Sequence, residues 1–328
     1  MRDVIIIGAG PVGLSCGIQA KRHDLDALII EKGALCNSLI GYPTEMEFFS
    51  TPELLEIGGH PFPTNRYKPR REEALDYYRR VAVAEELDIN LYERVRDLRG
   101  QDGAFTVVTE DGEYATRKVV VATGFFDIPK RMNIPGEDLD KVTHYFKEPY
   151  PYALQKVAVV GGANSAAKAA LSCYRNDAEV TLIVRDGELD DGVKYWIRPD
   201  LENRIEEGAI RAFFNTSVAA ITEDTIVLDT PDGEVDIEND WVLAMTGYKP
   251  NFEFLGRFGI DTRDDEANTP IYDEGGTYET NHAGVYLAGT VAGGLNTSRW
   301  FIENGRFHAE KIMGHITKHR GETVPLAG

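Results

Sequence analysis

Residues 3–17, DVIIIGAGPVGLSCG, decide how the rest of the chain reads. Four apolar residues, Val4 to Ile7, run into Gly8-Ala9-Gly10-Pro11-Val12-Gly13, and a helical pattern follows. Strand, glycine-rich turn and helix in that order form a dinucleotide-binding unit. The glycines act separately. Gly8 permits the tight turn, Gly10 lets backbone approach a pyrophosphate, and Gly13 lets helix pack on strand. The helix opens on Pro11, and from Val12 onward its first turn adds N–H donors and the positive end of a dipole. Eighteen residues beyond Gly13, Glu31 closes a second apolar strand in ALIIEKG, residues 27–33. An acid there accepts hydrogen bonds from an unphosphorylated ribose diol, as in FAD or NAD. Lys32 and Ser38 follow closely and join the candidate contacts.

The plan then repeats. In KVAVVGGANSAAKAA, residues 156–170, a second apolar run meets Gly161-Gly162-Ala163-Asn164-Ser165-Ala166 and an alanine-rich helix. Its second strand, VTLIVRDG, ends at Arg185 where the first ended at an acid. A guanidinium pairs with a 2′-phosphate, so this site favours NADPH, with Lys194 and Arg198 near enough in sequence to help. Downstream, TEDGEYATRKVVVATGF (109–125) and TPDGEVDIENDWVLAMTGY (230–248) share an Asp-Gly turn and an apolar strand ending in Thr-Gly-aromatic. Two matching units predict an α/β fold of two Rossmann-like dinucleotide-binding domains, the second inserted in the first. The boundaries read as 1–125 with 249–328 for FAD and 126–248 for NADPH. GVYLAGTVAGGLNTSRWFIENGRFHAEKI, residues 284–312, supplies a strand Val285–Ala288, then Gly289-Thr290, then a helix start around Ser298 to Phe301. With Thr123-Gly124 this stretch completes the first site and favours FAD there, a helix start being suited to the negative charge of a reduced flavin.

Composition narrows the function. The 328 residues are 42% hydrophobic and 27% charged, as in a globular protein. With 35 Lys and Arg against 54 Asp and Glu, the net charge of −19 argues against nucleic-acid binding. No apolar run approaches the roughly eighteen residues of a membrane span. The opening MRDVIIIGAG is too short and glycine-rich for a leader and reads as a strand, so a cytoplasmic protein is expected. Three scattered cysteines, Cys16, Cys36 and Cys173, form neither a disulfide framework nor a zinc site, and no metal constellation is present.

The chain resembles the thioredoxin-reductase branch of flavoproteins, and within it the YpdA-type bacillithiol disulfide reductases. The shared stretches span nearly the whole chain: IIGAGPVGLS, IIEKG, YPT with FFS, KPRREEALDYYR, HYFKE, GGANSA, TGYKPNFEFL and FIENGRFH. The resemblance implies FAD, NADPH, a homo-oligomer and a low-molecular-weight disulfide as substrate. It also implies a redox thiol, and here the chain departs. The Cys-x-x-Cys of thioredoxin reductases falls at His144 and Lys147, and the paired cysteines of glutathione reductases at Cys36 and Gly41. The glycine-loop cysteine common in YpdA-type proteins falls at Val12. Valine can neither form a mixed disulfide nor be reduced.

Catalytic residues therefore stay unassigned. Cys16, one helical turn beyond Val12, reads as a small core residue, Cys36 as a loop thiol and Cys173 as helix packing. His144 reads as a hydrogen-bonded structural histidine, with a place near flavin as the other possibility. Arg66, Lys68, Arg70 and Arg71 crowd before the apparent helix EEALDYYRRV, where cations oppose the dipole and need compensation by an anion or by Glu72 and Glu73. Four functions compete. The first is an NADPH-dependent reductase of a small disulfide. The second is an NADP-linked reductase of ferredoxin, flavodoxin or another protein, although the tail HRGETVPLAG (319–328) has no aromatic to cover a flavin. A flavin monooxygenase and a non-catalytic redox sensor rank below these.

Overall fold

A computed structural model describes residues 1–320. The chain divides into two compact units, one of residues 1–40, 46–128 and 248–328, the other of 41–45 and 129–247.

In the first unit the strand Arg2–Ile7 lies between Ala27–Ile30 and Glu113–Val121, parallel to both. Ile89–Asn90 extends one side of this sheet, and Val285–Leu287 pairs in parallel with residues 119–121. The run Val4–Ile7 is apolar at every position because the strand is covered on both faces, and Ile5 and Ile6 are fully buried. Burial of each such side chain stabilises the fold by roughly 2 kcal/mol. The opposite half of Glu113–Val121 turns antiparallel through the Asp111-Gly112 hairpin to Ala104–Thr109 and on to Val95–Gln101. One long strand thus carries both the nucleotide-type sheet and a meander.

The helix Pro11–Arg22 begins on Gly10 and carries no acid in its first turn and Lys21 and Arg22 in its last. Those charges complement the macrodipole and leave the positive end clear for an anion. The last helix, His308–Lys318, packs on this one. A single turn, Ile302–Gly305, precedes it and begins on Phe301, at the end of the stretch 298–301 where a helix start was expected. Its start is held by Asn304, whose Oδ1 accepts from Phe301 N at 2.7 Å.

The helix Arg71–Ala84 shows how the basic run is compensated. Glu73 accepts from Arg70 N at 2.8 Å and from Thr64 Oγ1 at 2.7 Å, with Arg66 Nε 3.7 Å away. Against the opposing pull of desolvation, these contacts hold its carboxyl below the ordinary range. The compensating anion is thus part of the helix's own first turn.

The second unit repeats the parallel plan, with strands in the order 211–213, 179–183, 156–160, 241–244 and 142–143. The helix Asn164–Tyr174 buries an alanine-rich face against it, and Cys173 lies fully buried in that core. The strands 217–221, 225–230 and 233–238 form a separate antiparallel sheet, turned at Asp232-Gly233. Here Glu137 caps a loop by accepting from Met132 N and Asn133 N at 2.8 and 2.7 Å. His144 Nε2 lies 3.3 Å from its Oε1, and burial lowers the His144 pKa. That contact ties His144 to the loop that Glu137 holds, a structural place.

Candidate functional site: two nucleotide crevices and three sealed thiols

The first crevice opens where the strand Arg2–Ile7 meets its helix. A methyl added at Gly13 would lie 1.9 Å from Gly8 O, and one at Gly8 would lie 2.6 Å from Ala122 O, with φ at +110° besides. Gly10 is different. Its φ of −75° suits any residue, and a methyl there meets nothing within 4 Å. Two glycines are thus demanded by the protein's own packing, and the middle one faces open space of the kind a pyrophosphate fills.

Glu31 stands at the strand end on the same side, 7% exposed. Its Oε2 accepts from Ala9 N at 2.9 Å and its Oε1 from Gly33 N at 3.0 Å. Burial raises its pKa, while the two N–H donors and Lys32 pull the other way. Each carboxylate oxygen retains capacity for a ribose hydroxyl. Lys32 is ion-paired with Asp127, and Ser38 sits half-buried in the turn Asn37–Gly41. Gly124 (φ +71°) and Thr290 come together, with Thr290 Oγ1 3.5 Å from where a Gly124 Cβ would lie. Thr123 is half-buried beside them, and Phe301 is exposed at the start of the single helical turn. The open glycine face and the acid held at the strand end fit FAD.

Val12 points into packing. A methyl at Gly289 would lie 3.1 Å from Val12 Cγ2, and one at Gly305 would lie 3.4 Å from the same atom and 3.3 Å from Gly289 Cα. The valine fills the crevice between two glycines of the C-terminal segment.

His308 closes the shared stretch FIENGRFH, but nothing in the sequence assigns it a role. It is 1% exposed, and its Nδ1 accepts from Gly289 N at 3.1 Å. Its ring stacks on Tyr278 at 4.0 Å and meets Trp300 nearly perpendicular at 4.4 Å. Burial, reinforced by Lys311, pushes its pKa down to about 4, so it is neutral and a competent acceptor at pH 7. The histidine therefore anchors the turn at Gly289-Thr290. The available signal was its place on the apolar face of the last helix.

The thiols are sealed. Cys16 is 0% exposed and burial raises it to about 12; Cys173, also 0% exposed, is likewise raised to about 12. Cys36 is 1% exposed and pushed up further by burial and by Glu31. It occupies a loop, as expected, but an interior one, with φ +54° and its N–H donating to Ala9 O at 3.1 Å. A thiolate is the reactive form, and these sites suppress it.

In the second unit, Gly161 (φ +137°) closes on Met245 O, 2.6 Å from where its Cβ would lie. Ala166, fully buried, packs beneath it in place of a third glycine. Asn164 and exposed Ser165 open the helix, and the Asn164 amide is engaged by residues 192 and 194. Arg185 leaves its strand with its side chain 83% exposed and a contact to Asp186 at 3.4 Å. Lys194 is half-buried. Arg198 is occupied elsewhere, its Nη2 donating to Leu189 O and Asp190 O at 3.0 and 2.8 Å. This glycine loop and its outlying cations fit a nicotinamide dinucleotide. Among the described residues no group of side chains could hold a metal ion, and no helix is long and apolar enough to cross a membrane.

Paired dinucleotide crevices on repeated α/β units define a class, and the chain matches it: it belongs to the pyridine nucleotide-disulphide oxidoreductase family, over residues 5–289. It is an oxidoreductase with the thioredoxin-reductase-like fold and the cofactors of that class, FAD and NAD(P)H. It is 44% identical over 316 residues to bacilliredoxin reductase Bdr of Bacillus subtilis (strain 168), covering 96% of this chain and 97% of that one. The solved bacillithiol disulfide reductase Bdr (YpdA) of Bacillus cereus superposes with a TM-score of 0.94 at 41% identity, over 97% and 99% of the two chains. The Staphylococcus aureus protein of the same name gives 0.94 at 40%, over 98% and 99%.

Proposed function

We propose that the chain is an NADPH-dependent reductase of bacillithiol disulfide, acting in the cytoplasm as a homo-oligomer, with FAD held by the first unit and NADPH by the second. The nearly full-length likeness to the bacillithiol disulfide reductases carries this reading. In the first unit, Gly8, Gly10, Pro11, Val12 and Gly13 form the pyrophosphate loop, and Glu31, Lys32 and Ser38 surround the ribose. Thr123, Gly124, Gly289, Thr290 and Phe301 border the flavin. In the second, Gly161, Gly162, Ser165 and Ala166 shape the phosphate loop, with Arg185 and Lys194 for the 2′-phosphate. Bound FAD supplies the two-electron relay: a hydride from NADPH enters, and an electron pair leaves to the acceptor. The balance is one NADPH, one proton and one disulfide giving NADP+ and two thiols.

No cysteine of this chain joins the relay, because the glycine-loop position is Val12 and all three thiols are buried with raised pKa values. The same observation favours a second reading, in which the acceptor is a protein: a bacilliredoxin, ferredoxin or flavodoxin. Anaerobic reduction by NADPH, followed by bacillithiol disulfide, decides between them through flavin absorbance and released thiol. Re-oxidation with two thiols per flavin, unchanged within about twofold in Cys16→Ala, supports the proposal. A reduced flavin that ignores the disulfide but is oxidised by one of the proteins replaces it with the second reading.

A further inference from the structure

We propose that residues 190–194 form a strap fastened over the second glycine loop by Asn164, and that the strap selects the 2′-phosphorylated nucleotide by placing Lys194. The inference rests on the reading of that loop as the nicotinamide-nucleotide site. Asn164 is the first residue of its helix, and its amide is used from both ends. Nδ2 donates to Gly192 O at 2.6 Å, and Oδ1 accepts from Lys194 N at 3.0 Å. On the other side of the turn, Asp190 N donates to Gly162 O at 3.0 Å, tying the strap to the glycine loop itself. Asp190 Oδ1 accepts from Gly192 N at 2.7 Å, which tightens the bend, and Arg198 holds the carbonyls of Leu189 and Asp190. Leu189 and Val193 are buried in the core of the unit and anchor the strap from beneath. An amide committed in this way acts through the strap, so Asn164 is a positioning residue.

Charge decides what the strap is for. Behind Arg185 the chain reads Asp186, Glu188, Asp190 and Asp191 before it reaches Lys194. Arg198 Nη2 lies 3.8 Å from Asp191, which leaves Asp186, Glu188 and Asp190 along the chain beside one exposed guanidinium. A phosphate brought there gains from a second cation held in register. A ribose without that phosphate carries no charge at the same place and has little to lose. The two hydrogen bonds from Asn164 fix the backbone on which Lys194 is mounted, and so set the direction from which its cation reaches the site.

Isothermal titration of the oxidised holoenzyme with NADP+ and NAD+ tests this, using Asn164→Ala, Lys194→Ala, the double variant and Arg185→Ala. Asn164→Ala and Lys194→Ala are each expected to weaken NADP+ about tenfold while NAD+ changes less than twofold. The double variant is expected to bind NADP+ no more weakly than Lys194→Ala alone, since the two act on one contact. Losses that multiply, an equal loss of both nucleotides, or an unaltered Asn164→Ala each overturn the strap. Arg185→Ala separates the two failures. If it weakens NADP+ while Asn164→Ala does not, the strap alone fails. If no variant alters either nucleotide, the reading of the loop fails with it.

Discussion

At the scale of single residues, most of what matters is a choice between two uses of one side chain. His308 is an example, because a histidine beside a cofactor crevice suggests proton transfer, yet its burial serves another end. Its pKa is lowered from the ordinary 6.5 to about 4, first by burial and then by Lys311. Between those values the unfolded chain binds a proton that the folded one does not, so stability rises with pH through that window and is lost as pH falls. A shift of that size is worth roughly 3 kcal/mol. In His308→Gln, denaturant unfolding between pH 6.5 and 4.5 is expected to show a correspondingly shallower loss of stability. A pH dependence identical to that of the parent would show that His308 is protonated as readily folded as unfolded.

Among elements, the strand–turn–helix units define the molecule, and their glycines are not equivalent. Gly13→Ala places a methyl 1.9 Å from Gly8 O, so the helix must lift off the strand. A loss on the order of 3 kcal/mol is expected from such overpacking, with or without FAD. Gly10→Ala adds a methyl to empty space at a permitted φ. The apoprotein is expected to melt within about a degree of the parent, while FAD affinity drops at least tenfold. Thermal melts of apoprotein and holoprotein, with flavin release measured by fluorescence, separate the two effects. A Gly10→Ala protein that holds FAD normally would place the pyrophosphate elsewhere.

For the molecule as a whole, charge is the dominant variable. A net −19 is spread over 328 residues. Such self-repulsion destabilises a compact state, whereas exposed ion pairs such as Arg79–Asp76 contribute little apiece. Screening shortens from about 10 Å at 0.1 M salt to 3 Å at 1 M. The melting temperature is therefore expected to rise by a few degrees when KCl is raised over that range. A fall would mean that the ion pairs, and not the excess of carboxylates, dominate surface electrostatics.

How much of this was legible in the chain follows from the range of the forces involved. The two glycine loops, the strand ends marked by Glu31 and Arg185, and the Asp-Gly hairpins were readable because local backbone geometry dictates residue type within a few positions. The segment from 298 was partly readable: a helix start was expected there, and a single turn ending at Gly305 precedes the final helix. Of the tail HRGETVPLAG (319–328), residues 321–328 lie outside the described residues. Burial of Cys36, neutrality of His308 and the double engagement of Asn164 were not legible. Each depends on groups far away in sequence: Ala9 for Cys36, Gly289 and Tyr278 for His308, and Gly192 and Lys194 for Asn164. The repeated dinucleotide plan and the missing glycine-loop thiol are statements about residue identity at short spacing, so the linear chain was enough to specify both. Which side chains face a crevice and which are spent on packing was settled by the folded molecule, because desolvation and hydrogen bonding are set by neighbours that the fold brings together.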